Sequence, residues 1–208
     1  MSVLNKLASI QGRKDEALNQ ELARALARDN DRQSIKEIAE NIWNKDKNIQ
    51  SDCIGIMEYL GHVDPELIED YVLDFLKLLQ STNNRLVWGG MIALSIIADR
   101  KPNEIVQHLN EITQAMAKGS VITVDNGIKI LAKVASVRED HNMRIFPFLI
   151  DHLKKCRPKD LPQHAESIEY AVNKASKEEF LLALSAREKD LSSSQKARIK
   201  KIYKRLKE

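Results

Sequence analysis

The stretch from Asn83 to Pro102 constrains the fold most, because its pattern returns at a nearly fixed distance on either side. Asn83 or Asn84 can cap a helix. Leu86, Val87, Met91, Leu94, Ile97 and Ala98 then fall at three- and four-residue spacings, and Pro102 suits the first turn of a following helix. A shift of 37 residues carries the helix beginning near Gln50 onto this stretch, a second shift of 37 reaches 121–136, and a further 40 reaches 161–175. Four columns align in that register: Cys53, Gly90, Gly127 and Ser167; Ile54, Met91, Ile128 and Ile168; Met57, Leu94, Leu131 and Ala171; Gly61, Ala98, Ala135 and Ala175. The first and last are small in every copy, which lets neighbouring backbones approach, and the middle two are apolar and fill the layer between repeats. The helices in between align too, through Ile68, Ile105, Ile145 and Phe180 and through Val72, Leu109, Leu149 and Leu184.

The rest of the chain reads as helices with short joints. A short helix over 2–12 stops at Gly12, and amphipathic helices follow over 15–29, 31–43, 50–61 and 66–80. Others cover 103–118, the segment from His141 onward, 161–175 and 177–188, with a last helix capped by Ser192 to Ser194; the punctuation predicts ten or eleven in all. Val121 to Gly127 carries a β-branched run and an Asn-Gly pair, signals of a strand and turn. No partner strand lies nearby and Gly127 falls in the small column, so a helix is expected there. Pro147 sits inside its helix, where a kink is expected. Seven Gly, five Pro and few aromatics among 208 residues favour helix throughout.

Antiparallel helix pairs recurring every 37 to 40 residues, with a small-residue column in the second helix, resemble HEAT or armadillo-type repeats over residues 31–190. That resemblance implies an all-α, right-handed α-α superhelix, a solenoid of HEAT-like antiparallel helix pairs whose second helices form a concave face. The expected organisation is one domain over 1–208, with N-terminal capping helices in 1–30, repeats in 31–190 and a basic capping helix in 191–208. A narrower similarity is to the bacterial alkylpurine DNA glycosylases built from HEAT-like repeats. It rests on Ile42-Trp43, the polar break after it, Tyr59-Leu60, and the approach from Leu79 to Trp88. Those enzymes follow their tryptophan with an acidic residue, whereas Gly89-Gly90-Met91 stands here, so their catalytic pattern is not preserved.

The sequence offers no catalytic residue and implies no cofactor. His62, His108, His141, His152 and His164 are read as surface or loop histidines, with no metal site expected from their spacing or from Cys53 and Cys156. The two cysteines are expected as reduced thiols. His164-x-Glu166 lacks the downstream cysteines of a zinc deaminase, Gly89-Gly90 is not a phosphate loop, and Ser192 to Ser194 have no base beside them.

Two surfaces remain. Trp88, with Asn84, Arg85, His164 and Asp125, which falls in the column of Trp88, marks a face suited to a protein or peptide. The tail carries Lys196, Arg198, Lys200, Lys201, Lys204, Arg205 and Lys207 against only Glu208, so with a chain charge of +3 the body is mildly acidic. Such a helix can hold a nucleic-acid backbone. The sequence therefore predicts a cytoplasmic, non-enzymatic scaffold for a protein or peptide partner. The alternative is a nucleic-acid binder related to the glycosylases, with Trp88 and Asp125 at the lesion. No apolar run approaches the ~20 residues that span a bilayer.

Overall fold

The computed structural model describes residues 2–206. Twelve α-helices and several short 3-10 turns account for the described secondary structure, and no strand occurs among the described residues. The helices fall into two compact units, one running to Val124 and one starting at Asp125.

The first unit contains α1 (Ala17–Arg28), α2 (Arg32–Glu40), α3 (Lys47–Val63), α4 (Val72–Leu78), α5 (Asn84–Ile97), α6 (Pro102–Val106) and α7 (Leu109–Lys118). Asp31, Asp46 and Asn83 cap α2, α3 and α5 by accepting from backbone amides two or three residues on. Pro102 opens α6, where its missing N–H costs nothing. The α5 helix packs against both α3 and α4. Adjacent glycines make that possible: a Cβ on Gly89 would lie 2.2 Å from Ile54 Cγ1 of α3, and one on Gly90 would lie 2.9 Å from the Phe75 carbonyl oxygen of α4. Ile54, Met57, Met91 and Leu94, the large members of the repeat columns, are fully buried around this contact.

The second unit holds α8 (Val121–Val137, whose first turn precedes the boundary), α9 (Glu139–Lys155), α10 (Leu161–Ile168), α11 (Lys177–Ser185) and α12 (Ser193–Arg205). The strand-like signal of Val121 to Gly127 thus gives way to helix. Packing of Ile128, Ile130, Leu131 and Val134 overrides the local propensity. The α9 helix packs on α10 and α11, and α10 on α12. Pro147 lies inside α9 on its exposed side, beside exposed Met143, so the missing N–H falls away from the core face of Ile145, Phe146, Leu149 and Ile150.

Several helix boundaries depart from the sequence reading: the segment 2–12 carries only a 3-10 helix over Val3–Lys6, and 31–43 is α-helical over Arg32–Glu40 and ends in a 3-10 turn. The segment 103–118 is two helices, because i to i+3 bonds from Gln107 to Glu104 and from His108 to Ile105 tighten the chain and end α6. The segment 66–80 opens as 3-10 turns after Pro65, and only Val72–Leu78 is α-helical. The helix predicted over 161–175 ends at Ile168 and closes with a 3-10 turn through Ala171. Beyond it the Asn173 side chain accepts from the amides of Ala175 and Ser176 at 3.0 and 2.9 Å, a local bond that competes with helix and leaves Ala175 exposed.

Candidate functional site

A cleft of about 450 Å³ opens in the first unit between the end of α4, one face of α5, and α7 with the residues that follow it. Helix α5 supplies Asn84, Val87 and Trp88, which are one turn apart and so share a face. Leu79 and Gln80 form one wall, and Gln114, Ala115 and Lys118 the other. Trp88 is partly exposed here, presenting an apolar plate among amide side chains that both donate and accept. Thr123 closes one end, and its buried hydroxyl has no hydrogen-bond partner among the described residues.

Arg85, next to Asn84, turns away from this role. Its guanidinium donates to Glu58 Oε1 at 2.5 Å across the α3–α5 contact, and both side chains are largely buried. Burial raises the Glu58 carboxyl above the ordinary value, and Arg85 opposes that shift. Trp43 is also engaged within this unit: its indole N–H donates to Asp74 at 3.3 Å, and the Lys77 ammonium lies 4.7 Å from the ring centroid.

In the second unit Asp125 and His164 are brought together. Asp125 Oδ1 accepts from His164 Nε2 at 2.8 Å, and Oδ2 accepts from the Gln163 amide at 2.8 Å. The other ring nitrogen of His164 lies 2.9 Å from His152 Nε2, so a carboxylate and two imidazoles form a chain. His164 is 2% exposed, a core residue and not a loop histidine. Burial, followed by the neighbouring His164, pushes His152 down to about 4, which keeps it neutral at physiological pH. Cys156 follows within reach of both rings. Spacing held a signal for this cluster, since His152 and Cys156 are four apart at the end of one helix. Their convergence with His164 depends on how α9 packs against α10 and is invisible in the sequence.

Helix α12 docks on its unit. Ile199 and Ile202 are buried, Arg198 makes two hydrogen bonds to Glu166 at 2.9 and 2.6 Å, and Arg205 makes two to Glu169. A capping box from Ser192 and Gln195 starts it. Two of the cations expected for a ligand therefore hold the helix in place. Lys200, Lys201 and Lys204 are exposed, Lys196 is half-buried, and Lys207 lies outside the described residues.

No protein-family model matches the sequence, and no curated protein matches it. Similarity lies among solved structures. A designed armadillo repeat protein in complex with the peptide (KR)4 is 12% identical with a TM-score of 0.72, covering 97% of this chain and 90% of that one. A computationally designed armadillo repeat protein for modular peptide recognition gives 13% and 0.67 over the same shares. An engineered protein gives 16% and 0.69, covering 100% of this chain and 97% of that one. At such identities the likeness concerns the fold alone: this chain has the helical-repeat solenoid fold of armadillo and HEAT-type proteins.

Proposed function

We propose that the protein is a non-enzymatic binding scaffold that holds an extended peptide segment of a partner protein in the α5–α7 cleft. The observation that supports this most is the lining itself. Trp88 and Val87 offer a place for one apolar side chain, while Gln80, Asn84 and Gln114 carry amides that can pair with a peptide backbone, as a backbone without secondary structure requires. The volume is within the roughly 300–1,000 Å³ of ordinary ligand sites. Binding of a peptide by a designed protein of the same fold is consistent with this use of the scaffold.

The test is selection of binders from a random peptide library on the purified protein, followed by affinity measurement on variants. Peptides that bind wild type and lose at least about 30-fold in affinity on Trp88→Ala, as expected for a residue worth ~2 kcal/mol, support the reading. Peptides that bind the variant equally well place the site elsewhere.

Nucleic-acid binding is the second reading, supported by the exposed lysines of α12. It predicts saturable binding to duplex DNA or RNA with a steep salt dependence. The triple variant Lys200→Glu, Lys201→Glu, Lys204→Glu spares Arg198–Glu166 and Arg205–Glu169, so it should fold normally and lose that binding. Undiminished binding by the folded variant removes α12 as the anchor.

A further inference from the structure

We infer that His152, Cys156 and His164 form a binding site for a borderline divalent metal ion of the zinc type. The donor atoms of the three side chains all lie within 4.8 Å of one another. They come from two packed elements: His152 from the last turn of α9, Cys156 from the residue that caps it, and His164 from α10.

The hydrogen bonds around the cluster set the ring nitrogens of the two histidines against each other. A carboxylate only accepts, so Asp125 requires the proton of His164 on Nε2 and leaves the lone pair of Nδ1 directed at His152 Nε2, 2.9 Å away. Without a metal, His152 must supply the proton that lies between the two rings. A cation in that place substitutes for the proton, taking one lone pair from each ring while His152 carries its hydrogen on Nδ1. Asp125, itself held by Gln163, then acts as the outer partner that orients a ligating histidine and increases its basicity.

The thiol completes the set. Cys156 Sγ donates to the Leu153 carbonyl at 3.7 Å rather than to either imidazole, so it is not arranged as a histidine-activated nucleophile. Its backbone is fixed independently: Arg187 donates to the carbonyls of Leu153, Lys154 and Cys156 at 2.9, 2.8 and 2.9 Å. To bind with the rings, Sγ has to turn from the Leu153 carbonyl toward them. For tetrahedral zinc, with bonds of about 2.0–2.1 Å to nitrogen and 2.3 Å to sulfur, the donors must sit roughly 3.3–3.6 Å apart. The imidazoles thus open by a few tenths of an ångström and the sulfur moves in. Two imidazoles and a thiolate exclude magnesium and calcium, which take oxygen ligands, and three protein donors leave one position for water or an external ligand.

Titration of the reduced, metal-free, untagged protein with Co2+ tests this, since a thiolate bound to cobalt gives a charge-transfer band that imidazole alone does not. One equivalent should produce the band, Zn2+ should remove it by displacement, and Mg2+ or Ca2+ should leave it. Cys156→Ser should abolish the band, and Cys53→Ala should keep it. Asp125→Asn should retain the band with Zn2+ affinity reduced 10- to 100-fold. If Cys156→Ser does not fold, His152→Gln takes its place and should weaken Zn2+ binding at least tenfold. Absence of the band in wild type, its survival in folded Cys156→Ser, or unchanged Zn2+ affinity in His152→Gln would overturn the site.

Discussion

Arg85 shows how a side chain's role depends on a partner distant in sequence. By position it belongs with Asn84 and Trp88 on a binding face, yet Glu58, from the preceding repeat, claims its guanidinium. Replacing it leaves a mostly buried carboxylate without its cation, so Arg85→Ala should cost roughly 1–3 kcal/mol at neutral pH. The pH dependence follows from the sign of the Glu58 shift. A carboxyl whose folded value is raised binds more protons folded than unfolded, so its contribution to stability falls as pH climbs above the unfolded value. Loss of Arg85 enlarges that shift. The penalty measured by urea unfolding should therefore grow between about pH 4 and pH 7, and a penalty that is flat or shrinks over that range would show that the pair is not what stabilises the contact. His164 offers the same lesson: sequence alone puts it at the surface or on a binding face, while packing places it in the core between Asp125 and His152.

Among the elements, those set by short-range pattern are legible and those set by competing local bonds are not. Column members Ile54, Met91, Ile128 and Ile168 are all fully buried, because a 3.6-residue period and a small residue at a fixed place suffice to say which face turns inward. The break between α6 and α7 and the end of α10 depend instead on tightened turns and on the Asn173 side chain, which the apolar period does not record. Gly90 tests the reading of the small column directly. Its missing Cβ would meet the Phe75 carbonyl at 2.9 Å and Leu78 Cβ at 3.0 Å, groups held by backbone and core. Gly90→Leu should destabilise the protein by about 1–3 kcal/mol through overpacking. Unchanged thermal stability would mean that α4 and α5 are not in tight contact.

For the molecule as a whole, the repeat fold is visible in the sequence because each repeat restates the same instructions. A binding surface is not repeated, and its parts become neighbours only when helices pack. Trp88 and Asn84 can be picked out because they share a face of α5, but the facing wall of Gln114 and Lys118 comes from α7, after a helix break that the sequence does not announce. In the proposed function this cleft is where a partner's chain is held. The most direct measurement is the affinity of a library-selected peptide for wild type and for Trp88→Ala and Asn84→Ala, alongside the melting temperature of each variant. The account predicts a large loss of affinity in the tryptophan variant and a smaller loss in the asparagine variant, with both proteins as stable as wild type to within about 0.5–1 kcal/mol. Equal affinity across all three proteins would contradict it.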